Sequence, residues 1–219
     1  MRVGIFGGTF NPIHYGHLRS AEDVREAFSL DRVYFVPAAW PPHKNTETLV
    51  SAEHRLKMVE LAVADNSRFL ASPVELERQG PSYSIDTIRY FLDTLQPDFL
   101  AFIIGIDAFR AIDSWKNYET IPTLCDLVVT TRPGEETPVL EQLLPVALKD
   151  AFWYDSSHYM HCHVSGHFLT FHHITGLSIA SSTIRALIRQ GRSIRYLVPT
   201  VVEGYIYNHH LYRTEESPR

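Results

Sequence analysis

The fold is decided by residues 2–17, which read R-V-G-I-F-G-G-T-F-N-P-I-H-Y-G-H. Their first five residues are apolar and run into two glycines, which is typical of a short buried strand followed by a turn. After Gly16 the apolar side chains recur at helical spacing, at Leu18, Ala21, Val24 and Phe28. A second apolar strand is predicted over residues 32–37. The chain therefore opens as strand, loop, helix and strand, and such a crossover predicts parallel strands and a right-handed connection.

The same alternation continues along the chain. Further strands are predicted over residues 69–76, 99–104, 126–131 and 168–172, and helices after Ser51 and Ser84 and over residues 181–190 and 200–208. Alternating strands and helices predict an α/β fold with a doubly wound, Rossmann-like parallel sheet, helices on both faces and a C-terminal helical segment. We expect a single domain over residues 1–212 and a polar tail over residues 213–219. Residues 134–164 show no clear pattern.

Composition excludes several classes of protein. Hydrophobic residues make up 45% and charged residues 21% of 219 residues, which excludes a disordered chain. The formal net charge of −5 argues against a nucleic-acid partner, so a bound anion would be small and held by a local pocket. No apolar run approaches the roughly 20 residues of a membrane helix, and the N-terminus does not resemble a signal peptide. Two cysteines without C-x-x-C spacing predict a reducing, cytoplasmic location.

The loop over residues 7–17 carries the first candidate site. Gly7 and Gly8 allow the backbone to approach a phosphate closely, and the following helix N-terminus favours anions. His14 and His17 lie three residues apart at the start of that helix, and Gly16 leaves room between them. Two imidazoles can donate hydrogen bonds to phosphate oxygens as charge builds up in a transition state. A glycine pair alone would indicate only a tight turn, but the whole string in this position favours a phosphate site.

A second string, I-A-S-S-T-I-R over residues 179–185, predicts another anion site. Ser181 and Ser182 stand at a helix start, where hydroxyls can cap the helix or bind phosphate. Arg185 adds a charged fork for phosphate oxygens. Taken alone, the string would indicate an ordinary cap and a surface arginine.

Both strings resemble signatures of the nucleotidylyltransferase superfamily, namely H-x-G-H and I-S-S-T-x-I-R. Ala180 stands where the second signature has its first serine, which removes one hydroxyl, and Ser182 replaces a threonine. Class I aminoacyl-tRNA synthetases carry a related first signature, but their K-M-S-K-S loop is missing here. Four further strings resemble the bacterial nicotinate-nucleotide adenylyltransferase family over residues 1–207: P-P-H-K at 41–44, P-S-Y-S-I-D-T at 81–87, G-I-D at 105–107 and W-K-N-Y at 115–118.

The resemblance implies a role for each matching position. His14 and His17 would be catalytic and would hold the ATP phosphates. ATP would also contact Gly7, Gly8, Thr9, Phe10, Gly105, Asp107, Ser181, Ser182 and Arg185. The acceptor nucleotide would contact Lys44, Ser84, Trp115 and Arg132. Each role has a structural alternative: Lys44 as a solvated lysine, Trp115 as a core residue, Ser84 and Asp107 as helix caps, and Arg132 as the end of a strand.

The implied reaction transfers AMP from ATP to nicotinate mononucleotide, giving nicotinate adenine dinucleotide and pyrophosphate in NAD biosynthesis. Mg²⁺ would arrive with ATP, bound by phosphates and water. The partners are thus two small molecules, and assembly into a homo-oligomer is left open. Alternatives are transfer to nicotinamide mononucleotide or phosphopantetheine, a cytidylyltransferase, and a sensor that binds ATP without transferring it.

Six histidines lie between residues 158 and 173: His158, His161, His163, His167, His172 and His173. Together with Cys162 they suggest metal chemistry, but their spacing matches no standard zinc pattern. We therefore predict exposed histidines on a strand and a loop, and no metal site.

Overall fold

The computed structural model describes residues 1–41, 49–131 and 139–213. Its strands are β1 (Arg2–Gly8), β2 (Arg32–Pro37), β3 (Phe69–Ala71), β4 (Phe99–Gly105), β5 (Asp126–Thr131), β6 (Phe152–Asp155), β7 (Met160–His163) and β8 (Phe168–His173). Its α-helices are α1 (Tyr15–Ala27), α2 (Ala52–Val63), α3 (Val74–Glu77), α4 (Ser84–Leu95), α5 (Ile106–Phe109), α6 (Leu140–Leu143), α7 (Val146–Lys149), α8 (Ser181–Arg189) and α9 (Thr200–Asn208). Short 3₁₀ segments lie at Ile112–Ser114 and Tyr118–Thr123.

The strands form one sheet in the order β3-β2-β1-β4-β5-β8-β7-β6. Parallel ladders join β1 to β4, β4 to β5 and β5 to β8. The order changes its direction of growth between β1 and β4, which is the switch point of a doubly wound sheet. The predicted α/β fold is therefore confirmed. β5 is buried along its whole length, as expected for a parallel strand covered on both faces.

The region without a clear pattern contains α6, α7 and a β-hairpin. β6 pairs antiparallel with β7, and β7 pairs antiparallel with β8, so the hairpin extends the parallel sheet. Its strands are short and carry histidine and aromatic side chains that are mostly half-buried or exposed. Such strands lack the apolar alternation that makes a strand visible in sequence.

The predicted strands β2 and β5 and helix α9 have the observed bounds. The strand predicted over residues 69–76 is wrong in its second half, because β3 ends at Ala71 and α3 follows. Pro73 precedes that helix, and proline has no backbone N–H for a ladder. Ser51 caps α2 as predicted, by accepting from the His54 N–H at 3.4 Å. Ser84 does not cap α4, because it is already the first helical residue, after Tyr83.

The chain divides into two compact units. The first unit contains Met1–Gly7, Ala21–Val33 and Tyr83–Thr175. The second unit contains Gly8–Ser20, Tyr34–Ser82 and Gly176–Arg219. The single domain expected over residues 1–212 stays a prediction. No helix in the described parts of the chain is long and apolar enough to cross a membrane.

Candidate functional site

The two histidines of the first string form a stacked pair in the second unit. Their ring centroids lie 3.7 Å apart with an interplanar angle of 23°. His14 immediately precedes α1, and its carbonyl accepts from the His17 N–H at 3.0 Å. In return, the His14 N–H donates to Nδ1 of His17 at 3.3 Å, which is one half of a capping box with histidine as the third helical residue. Because Nδ1 accepts, a neutral His17 carries its proton on Nε2.

Gly16 leaves the space that the pair needs. A Cβ at this position would lie 3.0 Å from both Cε1 and Nδ1 of His14. The nearest other atom is the Ile179 carbonyl oxygen at 3.6 Å, so the segment before α8 also faces this glycine. An alanine here would push the imidazole of His14 out of its place.

Phe10 supports the other side of the pair. Its side chain is 2% exposed, and its ring meets that of His17 edge to face at 5.1 Å. Its φ is +47°, which is uncommon for a residue with a side chain and shows that packing holds this conformation. A Cβ on Gly8 would come within 2.8 Å of the Phe10 ring, so this glycine is required. The Phe10 side chain therefore supports His17 in this structure, and its contact with ATP stays a prediction.

Two carbonyl groups of the loop are held by side chains of α8. From α8, the Ser181 hydroxyl donates to the Pro12 carbonyl at 2.9 Å, and a guanidinium nitrogen of Arg185 donates to the Asn11 carbonyl at 2.7 Å. The structure thus brings the two predicted strings together within the second unit. Ser181 and Arg185 donate these hydrogen bonds to the loop backbone. Ser182, at the start of α8, is exposed.

Sequence reasoning missed Arg55, which holds the loop from α2. Its guanidinium donates from Nη1 to the Thr9 carbonyl at 2.9 Å, from Nε to Val50 at 3.1 Å and from Nη2 to Ala39 at 3.2 Å. The side chain is 1% exposed, and burial lowers its pKa. One signal was present in the sequence. Arg55 lies in register with the buried stripe of α2, formed with Met58, Val59, Ala62 and Val63.

Tyr212 is a half-buried residue near this network, and its hydroxyl oxygen is buried. Burial raises the pKa of its phenol, while the charges of Arg185 and Arg55 act in the opposite direction. Both arginines are thus close enough to interact electrostatically with Tyr212. Among the described residues, neither its hydroxyl nor Nε of Arg185 has a hydrogen-bond partner.

The remaining predicted ATP residues lie in the first unit. Gly7 and Gly105 stand near the carboxyl ends of the paired strands β1 and β4, which is where a doubly wound sheet binds ligands. Gly105 has open space around its Cα, because a Cβ added there would meet no atom within 4 Å. Asp107 follows at the start of α5 with a side chain that is 75% exposed, and its Oδ1 lies 3.4 Å from Nη1 of Arg110.

Two predicted acceptor residues also lie in the first unit. Trp115 is half-buried, and its ring meets that of Phe102 edge to face at 6.1 Å. The next residue, Lys116, places Nζ 3.2 Å from Oδ2 of Asp86 and 4.5 Å from the centre of the Tyr83 ring. Because these two partners flank Ser84, Lys116 joins the start of α4 to the Trp115 segment.

Lys116 is a cation to which sequence reasoning assigns no role, although it lies within the W-K-N-Y string. The other two predicted acceptor residues, Lys44 and Arg132, lie outside the described residues.

The histidine-rich segment has local contacts throughout. Nδ1 of His158 lies 2.7 Å from Asp155, that of His163 lies 2.8 Å from the Ser165 hydroxyl, and that of His173 lies 2.9 Å from the Thr131 hydroxyl. His161 and His172 pack against aromatic rings, and burial lowers the pKa of both. In the described ranges, no group of three or more His, Cys, Asp or Glu side chains is arranged to hold a metal ion.

Comparison with known proteins gives a consistent set of relatives. A family model described as cytidylyltransferase-like matches residues 5–187. A Geotalea daltonii protein named "probable nicotinate-nucleotide adenylyltransferase" is 50% identical over 212 residues, covering 97% of this chain and 98% of its own length. A Syntrophotalea carbinolica protein of the same name is 46% identical over 216 residues, covering 99% of both chains.

A solved structure supports the fold. The nicotinic acid mononucleotide adenylyltransferase of Plasmodium falciparum, in complex with NaAD, superposes with a TM-score of 0.71 at 19% identity, covering 96% of this chain and 97% of that chain. At this identity the likeness concerns the fold. The family match and the close relatives extend over most of the sequence, including both strings of the site. The chain therefore belongs to the cytidylyltransferase-like family and, within it, to the nicotinate-nucleotide adenylyltransferases.

Proposed function

We propose that this protein transfers the AMP group of ATP to nicotinate mononucleotide, producing nicotinate adenine dinucleotide and pyrophosphate for NAD biosynthesis. The observation that carries the proposal is 50% identity to the Geotalea daltonii relative over 97% of the chain. The arrangement of the first site supports it, because a glycine loop, a helix start and a stacked histidine pair form one braced unit. These are the groups that suit a polyphosphate.

The reaction needs no strong base. A phosphate oxygen of the mononucleotide attacks the α-phosphorus of ATP, forming one P–O bond while the bond from the α-phosphorus to the bridging oxygen breaks. The electron pair of that bond leaves with pyrophosphate. Because the attacking phosphate is already anionic, catalysis is a matter of position and of stabilising charge on the phosphoryl oxygens.

His17 is the leading candidate for charge stabilisation. Its Nδ1 accepts from the His14 N–H, so the proton of the neutral ring stands on Nε2 and that atom is a donor. The stack with His14 and the edge contact with Phe10 fix the plane of the ring. A donor held in place before the reaction costs little reorganisation as charge builds up.

Mg²⁺ enters this proposal as part of the ATP substrate. A small hard cation keeps several waters and binds phosphate oxygens well, so it needs no cage of protein ligands. The roles of Asp107 in holding the adenosine ribose, of Trp115 in stacking on the pyridine ring and of Ser84 near its carboxylate belong to the same proposal. The exposure of Asp107 and the open space beside Gly105 support the role of Asp107.

We also place the protein in the cytoplasm. Its two cysteines, Cys125 and Cys162, are both free, which suits a compartment that keeps thiols reduced.

The test is release of pyrophosphate from ATP–Mg²⁺ with three separate acceptors: nicotinate mononucleotide, nicotinamide mononucleotide and phosphopantetheine. We expect turnover with the first to exceed that with the other two. Preference for nicotinamide mononucleotide or phosphopantetheine would show that the acceptor is wrong. No turnover with any of them would favour a protein that binds ATP without transferring it.

A further inference from the structure

Arg55 is the most completely buried large charged side chain in the described residues. At 1% exposure, the need of each guanidinium nitrogen for a hydrogen-bond partner falls on protein groups, since an unmet buried charge is costly. Backbone carbonyls meet it, at Thr9, Ala39 and Val50. These three residues belong to three separate segments of the second unit: the glycine loop, the residues after β2 and the residues before α2.

A guanidinium suits this task because its donors lie in one plane at fixed angles. Three carbonyls bound to one guanidinium are therefore held in a fixed relation to each other. Val50 adds a second link, because its N–H donates to Oδ1 of Asn11 at 3.4 Å. Arg55 thus reaches the loop at Thr9 directly and at Asn11 through Val50.

The bond to Thr9 affects the residue that follows. A peptide group is planar, so holding the Thr9 carbonyl also fixes the orientation of the Phe10 N–H, which points the opposite way. Phe10 leaves this peptide with φ of +47° and packs its ring against that of His17 at 5.1 Å. Rotation of the Thr9–Phe10 peptide would therefore move the ring that supports His17.

We propose that Arg55 is a positioning residue, which fixes the Thr9–Phe10 peptide and, through the Phe10 ring, the imidazole of His17 for adenylyl transfer. This inference rests on the proposed function for its kinetic consequence, but its structural part does not. Arg55 does not touch the substrates in this scheme. Its contribution is to hold the catalytic imidazole at one angle.

The first test compares Arg55→Lys with Met58→Ala. Lysine keeps the charge but loses the planar fork, while Met58 is a fully buried neighbour on the same stripe of α2. We expect Arg55→Lys to lower kcat about ten-fold or more, because a misplaced His17 imidazole stabilises the transition state less well, with the KM for nicotinate mononucleotide within about two-fold. Met58→Ala should lower the melting temperature and keep kcat within about two-fold. Equal losses of kcat in the two variants, or normal kcat in Arg55→Lys, would overturn the inference.

The second test does not depend on activity. The ¹⁵N signals of the His17 ring should show one tautomer in the wild type, with Nδ1 as acceptor, and should change in Arg55→Lys but not in Met58→Ala. Unchanged His17 signals in folded Arg55→Lys would refute the inference. If the wild type gives no turnover with nicotinate mononucleotide, the proposed function fails while these signals still decide the role of Arg55.

Phe10→Leu covers the case in which Arg55→Lys does not fold. It keeps Arg55 and removes the aromatic contact, so the His17 ring signals should change and kcat should fall. Normal His17 signals and normal kcat in folded Phe10→Leu would break the chain of contacts on which the inference depends.

Discussion

The protein has two regions rich in histidine, and they are built differently. His14 and His17 stack on each other, share two hydrogen bonds and lie at the start of α1, directly after a loop held by α2 and α8. The histidines between residues 158 and 173 are more numerous, but each has its own nearby partner, such as Asp155 for His158 or Ser165 for His163. Within the described residues they form no common centre.

The number of histidines in a region therefore says less about its chemistry than the contacts that hold their rings. In the first region the surroundings hold two rings in one stacked arrangement. In the second region they satisfy the polar atoms of a hairpin and a strand. Substitutions in the first region should therefore change turnover, and those in the second region should change stability.

The largest effect is expected from His17→Ala. Losing one preorganised donor to the transition state typically lowers kcat by about 10²–10³. The measurement is steady-state pyrophosphate release with ATP–Mg²⁺ and nicotinate mononucleotide, with circular dichroism to confirm folding. His158→Ala is the matched control in the second region, and it should leave kcat unchanged. Near-normal turnover of a folded His17→Ala protein would remove the catalytic role of the pair.

Gly16→Ala should have the next largest effect. The added methyl group would lie 3.0 Å from two atoms of the His14 ring, so the ring must move. Overpacking of this kind costs about 1–3 kcal/mol. If about 1.4 kcal/mol of that cost falls on the transition state, kcat drops about ten-fold. Gly105→Ala offers a contrast, since its Cβ would meet no atom within 4 Å.

For Gly105→Ala we expect unchanged stability and a higher KM for ATP, because the methyl group would occupy the space proposed for the nucleotide. A Gly16→Ala protein with wild-type kcat would show that the position of His14 is not critical.

Ser181→Ala and Ser182→Ala distinguish a residue that supports the loop from a residue that binds ATP. Ser181 donates to the Pro12 carbonyl, and loss of such a bond costs about 1 kcal/mol, or roughly five-fold in an equilibrium constant. We expect Ser181→Ala to lower both the melting temperature and kcat modestly. Ser182 is exposed, so Ser182→Ala should keep the melting temperature and raise the KM for ATP. The reverse result would show that Ser182 supports the loop and that Ser181 binds ATP.

The smallest effect concerns stability against pH in the second region. Burial lowers the pKa of His163, which is 3% exposed. The pKa of this histidine is about 6.5 in the unfolded chain and lower in the folded protein. At pH values between the two, the unfolded chain binds more protons, which favours unfolding. The stability that neutral His163 allows is therefore complete above this range and is lost as the pH falls through it. The melting temperature should therefore fall as the pH decreases below about 6.5, and the fall should be smaller in His163→Gln.

The control for this prediction is His158→Gln, since that side chain is 68% exposed. Its melting temperature should follow the wild-type pH profile. An unchanged profile in His163→Gln would show that this histidine does not contribute to acid sensitivity, and a fall in kcat at neutral pH would break the contrast between the two regions.

Much of the fold could be predicted from sequence because its central strands are long apolar runs between clear turns. β2 and β5 have the predicted bounds, and the first loop lies after β1 at the switch point of the sheet. The hairpin could not be predicted, because β6 and β7 are short and carry histidines and exposed aromatics. Their pairing depends on contact with β8, which is a tertiary effect.

The sequence indicated which two strings lie together, but it did not indicate the side chains that support them. The two strings are recognisable in sequence, and the structure brings together their residues His14, His17, Ser181 and Arg185. Arg55 was missed because an arginine in a helix usually faces water. Only its register with the apolar stripe of α2 marks it as buried. Lys116 was missed for a different reason: its contact with Asp86 joins segments 30 residues apart, and no local pattern shows such a contact.

The buried guanidinium of Arg55 has a consequence for protein design. The eleven residues that make up the first string do not contain all the information for their own shape, because carbonyl groups from two other segments share the same arginine. Grafting the string alone onto another strand–loop–helix scaffold should give a loop of the right composition with histidines at undefined angles. A portable version would have to include α2 with its arginine, so the transplantable module is larger than the signature by which the family is recognised.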